Sequence, residues 1–290
     1  MSGAPGDAEA RAVMARHARS FAPALRALGR RDRARVARLY ALCRAVDDLA
    51  DLDGGPAAAA RLARIERELR TGRPVDPLAT GAAALFEERP FGRAAFADLV
   101  AGVRTDLAPV RIADAAALEA YAQAVAGTVG LMVASLFDVP ARHHAAAAAL
   151  GRAMQLTNIA RDVGEDARAG RRYLPETLCP HPPQALVDPT RGVQADVARA
   201  IAWVLARADR LYAEGRAGLP ALPPRLRVAV AVAAALYEGI GDEIRAGRCD
   251  PLRARATVPA RRKLQRAGAG VAGVVWPAPR DAGMESRRHA

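Results

Sequence analysis

Two acidic clusters, Asp47-Asp48-Leu49-Ala50-Asp51 and Asp162-Val163-Gly164-Glu165-Asp166, lie about 115 residues apart in a chain of 290 residues with a formal net charge of +12. Carboxylates concentrated in an Arg- and Ala-rich background call for a chemical reason. Residues three and four apart share a helix face, so Asp47, Asp48 and Asp51 are expected to point together. The second stripe is longer. At 100° per residue, Gln155, Asn158, Asp162 and Asp166 fall within roughly 80° of one another. These are all oxygen donors, with no Cys or His among them. Like charges at i,i+4 cost about 0.2–0.5 kcal/mol per pair in an isolated helix. A hard divalent cation holding a phosphorylated substrate would offset that repulsion.

Taken alone, the first cluster reads as a solvated helix face paired with Arg. The second stripe, amides with carboxylates, suits neither a surface helix nor a core, and the two together favour a site. Cations flank both: Arg44 three residues before Asp47, Arg161 beside Asp162, and Arg171-Arg172 one short turn later. Each could be a salt-bridge partner. Beside a metal carrying a diphosphate, guanidiniums would instead bind the remaining phosphate oxygens and the charge left when diphosphate departs. A third element, Val125-Ala126-Gly127-Thr128-Val129-Gly130-Leu131-Met132-Val133-Ala134, puts Gly127, Gly130 and Ala134 on one nearly bare helix face. Such a face serves close helix packing and a pocket wall for a long apolar ligand equally well.

These residues need helices to carry them. Helical periodicity predicts helices over roughly 8–28, 32–52, 56–70, 92–106, 114–137, 141–167, 193–217 and 224–246, with a further segment from about 251. Breaks fall at Gly54-Gly55-Pro56, Gly72-Arg73-Pro74, Pro109, Pro140, the 180–189 loop, Pro220 and Pro223-Pro224. No run alternates as a strand. Both acidic clusters sit near helix C-termini, where the helix dipole disfavours carboxylates, which argues against a merely structural role.

Half the residues are hydrophobic and only 4% aromatic, with Ala dominant, favouring close-packed helices. One domain over 1–290 is expected, with an ordered core at about 8–272 and a flexible tail over 273–290. Apolar runs read as too short to cross a bilayer, and the acidic segment 1–10 does not read as a secretory signal. Cys43, Cys179 and Cys249 are scattered, without a Cys-x-x-Cys pair, and suit a reducing compartment. The basic charge is spread along the chain without interleaved aromatics, so nucleic acid is not the expected partner. Polyanionic substrates or an anionic membrane surface are. The expected location is cytoplasmic, or peripheral at the inner membrane surface.

The runs Arg44–Asp51, Val125–Gly130, Gln155–Asp166 and Gly170–Pro175 resemble the motifs of the squalene/phytoene synthase family. They stand in family order between His17-Ala18-Arg19-Ser20-Phe21 and Arg261-Arg262-Lys263-Leu264. The resemblance implies an all-α isoprenoid-synthase fold, a helical bundle around a deep cavity with the two Asp-rich motifs facing each other at its mouth. It implies Mg²⁺ (or Mn²⁺) on Asp47, Asp51, Asn158, Asp162 and Asp166, supported by Asp48 and Gln155. It implies diphosphate contacts from Ser20, Arg44, Arg161 and Arg255. Phe21, Tyr40, Tyr121, Gly127, Gly130, Arg171, Tyr173 and Tyr237 would also meet substrate, with Tyr173 counted among the catalytic set. Relatives often carry a second tyrosine where this chain has Gln123. The implied activity is head-to-head condensation of two geranylgeranyl diphosphates to phytoene. The alternative is squalene, dehydrosqualene or hydroxysqualene from farnesyl diphosphate; a remoter one is a non-catalytic assembly partner. No G-x-G-x-x-G fingerprint is apparent, and NADPH is not expected.

Overall fold

Alanine-rich stretches punctuated by Pro and Gly form helices throughout the computed structural model, which describes residues 7–17, 28–250, 252 and 256–275. The helices are α1 (Asp7–His17), α2 (Arg30–Asp48), α3 (Gly55–Thr71), α4 (Pro77–Leu85), α5 (Pro90–Arg104), α6 (Ala115–Ala122) and α7 (Thr128–Leu136). They continue with α8 (His144–Arg168), α9 (Pro183–Val187), α10 (Arg191–Ala217), α11 (Pro224–Ala246) and α12 (Ala260–Val275). Helix α8 is the axis of the bundle and packs on α7, α10 and α11. Its inward residues Leu156, Ile159 and Ala160 join Ile201, Val204 and Tyr212 of α10 in one core. A second core, built from Leu62, Ile65, Phe96, Leu99 and Met132, holds α2, α3, α5 and α7 together. Among the described residues the only β feature is an isolated bridge, Arg111 to Arg172.

Several boundaries depart from the periodicity. Helix α4 falls where no helix is predicted. Pro77 and Asp76, whose side chain accepts from the Leu78 amide at 2.9 Å, start it. Nine residues, four of them Ala, are too few to register a period. The short α9 was hidden in its proline-rich loop for the same reason. The predicted helix over 8–28 is seen as α1 up to His17, with 18–27 outside the described residues. The C-terminal helix begins at Ala260 rather than about 251 and runs to Val275, three residues into the expected tail.

Two predicted helices each contain a π-turn. Helix α2 continues as a π-turn over Leu49–Asp53, and α6 joins α7 through another over Gln123–Gly127. Both occur in walls of the same chamber, a recurring position for π-turns. The combined run Ala115–Leu136 has a mean hydropathy of 1.3 over its most apolar window and is long and apolar enough to span a bilayer. That corrects the expectation that no run would be. Here it packs between α5 and α8.

The small-residue face of this run turns out to be mainly a helix contact. A methyl on Gly130 would lie 2.0 Å from the Ala147 carbonyl oxygen, and one on Gly151 2.1 Å from that of Ala126. The pair brings α7 and the π-turn before it against α8 backbone to backbone. Gly127 is covered by the Gln123 side chain, 2.4 Å from where its Cβ would stand, and does not line the apolar cavity as expected. Gly130 and Ala134 do.

Candidate active site

The two acidic motifs meet. Arg171 Nη1 donates to Asp51 Oδ1 at 2.8 Å, bridging the end of α2 to the turn after α8. That turn is made possible by Gly170, whose φ of +74° is costly for a residue with a Cβ. It is then pinned to the segment before α6 by Arg172 N to Val110 O at 3.2 Å and Glu176 N to Ile112 O at 2.9 Å. The buried Arg172 donates to the carbonyls of Cys179 and His181 and to Glu176. Arg172 therefore holds the loop, while its neighbour Arg171 faces the site.

Asp47, Ala50, Asp51, Val103, Asp106, Tyr121, Val125, Gln155, Arg171 and Tyr173 border a polar chamber of about 560 Å³, counting its open mouth. Burial pushes the Asp47 carboxyl up to about 7, with Asp51, Asp106 and Asp48 adding to the rise and Arg44 opposing it. Burial likewise raises Asp166 to about 7, with Asp162 adding and Arg171 opposing. Carboxylates this crowded and dry are short of positive charge.

Arginines supply part of it. Arg161 grips the neighbouring Asp162 in a two-point contact, 2.8 Å from Nε to Oδ1 and 2.5 Å from Nη2 to Oδ2. Burial works against the Arg161 charge, yet the Asp162 contact more than restores it. Arg44 pairs with Asp48 across one helical turn at 2.5 Å. Asp48 is therefore engaged by Arg44 and does not line the chamber with Asp47 and Asp51. Asp47 and Asp51 both border the chamber, although Asp51 lies in the π-turn Leu49–Asp53.

Tyr40 and Tyr237 stand close enough to interact, with Arg44 and Asp47 near the first and Arg161, Asp162 and Asn158 near the second. Burial raises both phenols, so they stay protonated. Tyr121 and Tyr173 border the chamber as a tilted ring pair with centroids 5.0 Å apart. Ser20, Phe21 and Arg255 lie outside the described residues. Asp106 is the functional candidate that spacing did not suggest: a single carboxylate in the 3₁₀ turn Thr105–Leu107, outside any motif.

A divalent metal, implied by the motifs, fits the donor set. Asn158 Oδ1 is buried without a hydrogen-bond partner, while its amide nitrogen approaches Gln155 Oε1 at 3.5 Å. An orphaned amide oxygen on the stripe carrying Asp162 and Asp166 is a vacant hard ligand. Among the described residues no three acidic, His or Cys side chains already converge at coordination distance. Arg171, Arg161 and Arg44 each contact one aspartate, Asp51, Asp162 and Asp48 respectively.

Beside the polar chamber lies an apolar cavity of about 900 Å³, counting its open end. Val125 and Gln155 border the first space, and Val129 and Met154 border the second, so the two adjoin across the same helices. The cavity follows α8 from Met154 through Leu150 and Ala147 to His143, faced by Val133 and Ala134 of α7 and Ala229 and Ala233 of α11. From Met154 to Ala146 the lining runs about 12 Å along α8, and Asn158 lies about 6 Å further on.

The sequence profile of the squalene/phytoene synthases matches residues 14–262. A phytoene synthase of Thermus thermophilus is 40% identical over 225 residues, covering 77% of each chain. One of Rhodobacter capsulatus is 36% identical over 257 residues, covering 84% of this chain and 75% of that protein. Among solved structures, a dehydrosqualene synthase in complex with ligand superposes with a TM-score of 0.78 at 30% identity, covering 91% of this chain and 94% of that one.

Proposed function

The chain belongs to the squalene/phytoene synthase family, and from that premise we propose that it joins two geranylgeranyl diphosphates head to head to give phytoene. It is a prenyltransferase. The observation that carries the substrate reading is the long apolar cavity beside a chamber in which Arg171 and Asp51 bring the two acidic motifs together.

Mg²⁺ held by Asp47, Asp51, Asn158, Asp162 and Asp166 would supply the charge that draws diphosphate off its allylic carbon. Arg44, Arg161 and Arg171 would bind the departing oxygens; each already sits on an aspartate and can exchange that contact for a phosphate. The resulting allyl cation is captured by the 2,3 double bond of the second molecule. Loss of a proton then closes a cyclopropylcarbinyl diphosphate. A second ionisation rearranges the ring to the 1-1' linked chain, and loss of another proton ends the sequence. Val129, Val133, Leu150 and Ala233 exclude water, which would trap the cation as an alcohol. Phytoene retains a central double bond, so the condensation needs no reductant.

The deciding experiment gives the purified protein geranylgeranyl or farnesyl diphosphate with Mg²⁺, with and without NADPH. Phytoene from the C20 substrate without NADPH is the expected product, with farnesyl diphosphate the poorer substrate. Preferential conversion of farnesyl diphosphate to squalene, dehydrosqualene or hydroxysqualene would overturn the substrate while leaving the family intact.

We further place the protein in the cytoplasm, peripheral at the inner membrane surface, because its product is wholly apolar and its net charge is +12. Helix α12 suits that surface. Arg261, Arg262, Lys263 and Arg266 crowd its first half, and Leu264 and Val271, one heptad apart, are exposed. Co-sedimentation with vesicles containing anionic lipid, weakened by salt, is the expected result; equal recovery with neutral vesicles would count against it.

A further inference from the structure

Asp106 belongs to neither acidic motif, yet it gathers more of the chamber wall than any aspartate in them. Its Oδ2 accepts from the Tyr121 hydroxyl at 2.9 Å and its Oδ1 from the Tyr173 hydroxyl at 3.4 Å. The three residues come from separate elements: the 3₁₀ turn after α5, helix α6, and the turn after α8. One carboxylate thus sets two rings that stack on each other with planes inclined by 35°. The half-buried Asp106 borders the same chamber as Asp47, Asp51 and Arg171.

We propose that Asp106 is a positioning residue for the condensation, acting through Tyr121 and Tyr173. An ionised carboxylate only accepts, so both phenols must donate to it and both hydroxyl hydrogens are committed to Asp106. The ring faces and the remaining oxygen lone pairs are then left for an allylic cation, which they stabilise without forming a bond. Asn at this position could not impose the arrangement, because its amide nitrogen donates and one phenol would have to turn round. The inference rests on the prenyl-transfer reading, since it is the cation that gives the ring orientation its purpose.

Two arms test it. In the kinetic arm, Asp106→Asn and Asp106→Ala should each lower kcat by about 10²-fold, the scale of a misplaced catalytic group. KM for the diphosphate and the Mg²⁺ activation midpoint should stay near wild type, and more cyclopropylcarbinyl intermediate should be released. In a Tyr121→Phe/Tyr173→Phe background, adding Asp106→Ala should cost no more than about 3-fold, because residues acting as one unit are not additive. The full loss persisting in that background, or a shifted Mg²⁺ midpoint, would show that Asp106 acts on its own or as a metal ligand and overturn the proposal. The second arm needs no turnover. With fluorotyrosine incorporated, Asp106→Ala should shift the fluorine resonances of both Tyr121 and Tyr173 in the substrate-free protein, and unchanged resonances would overturn the tie. A wild-type protein inactive on both prenyl diphosphates would defeat the functional reading, with the fluorine arm still deciding whether Asp106 sets the rings.

Discussion

Asp47→Asn or Asp162→Asn is expected to reduce turnover by about 10³-fold or more, the loss that follows removal of one preorganised charge contact to a transition state. EDTA should abolish wild-type activity, and Mg²⁺ or Mn²⁺ should restore it. The fold should not suffer. Asp47 is raised to about 7 because burial and three nearby aspartates disfavour its charge. Between the ordinary carboxylate value and about 7, the folded chain keeps a proton that the unfolded chain has lost. The Asp47 contribution to stability therefore falls as pH rises through that window. Asn carries no charge to penalise. The metal-free Asp47→Asn protein should melt no lower than wild type at pH 8, while Mg²⁺ should raise the wild-type Tm more than that of the variant. Full activity in either variant would remove both stripes from the site.

Ala147→Phe is expected to reverse the preference between the two substrate lengths. Ala147 lines the apolar cavity about 16 Å along α8 from Asn158, beyond the reach of three isoprene units but within that of four. The fourth unit adds five carbons. At about 0.8 kcal/mol per buried CH₂, up to about 4 kcal/mol of binding favours the longer tail, or about 10³-fold at most. A phenyl ring at 147 would occupy that space. Geranylgeranyl diphosphate turnover should drop by about 10²-fold or more, with farnesyl diphosphate turnover retained and Ala147→Leu lying between. Competition between the two substrates in one assay, with Tm measured alongside, checks this. An unchanged ratio in a folded variant would mean that the tail runs elsewhere.

Much of the site could be read from spacing, because a helix converts sequence offset into direction. Gln155, Asn158, Asp162 and Asp166 belong to the single helix α8, so their common stripe follows from 100° per residue alone. The all-α class, most helix boundaries and the flanking arginines follow from local pattern in the same way. The likeness of the long second motif to one enzyme family added the chemistry.

What lay beyond that reach was decided between elements. That Asp47 and Asp51 border the chamber while Asp48 pairs with Arg44 one α-helical turn back depends on what packs against the end of α2. The Gly130 face, open to two readings as sequence, became a backbone contact once Ala147 of α8 was brought against it, though it still borders the cavity. Asp106 had no motif to announce it, since its partners are 15 and 67 residues away. By itself the sequence determined which oxygen and guanidinium groups share a helix face and which stretches become helices, because those depend on neighbours a turn or two apart. Tertiary structure alone decided which carboxylate holds the tyrosines, which glycine is a contact and how deep the apolar cavity runs, because each depends on the packing of helices far apart in the chain.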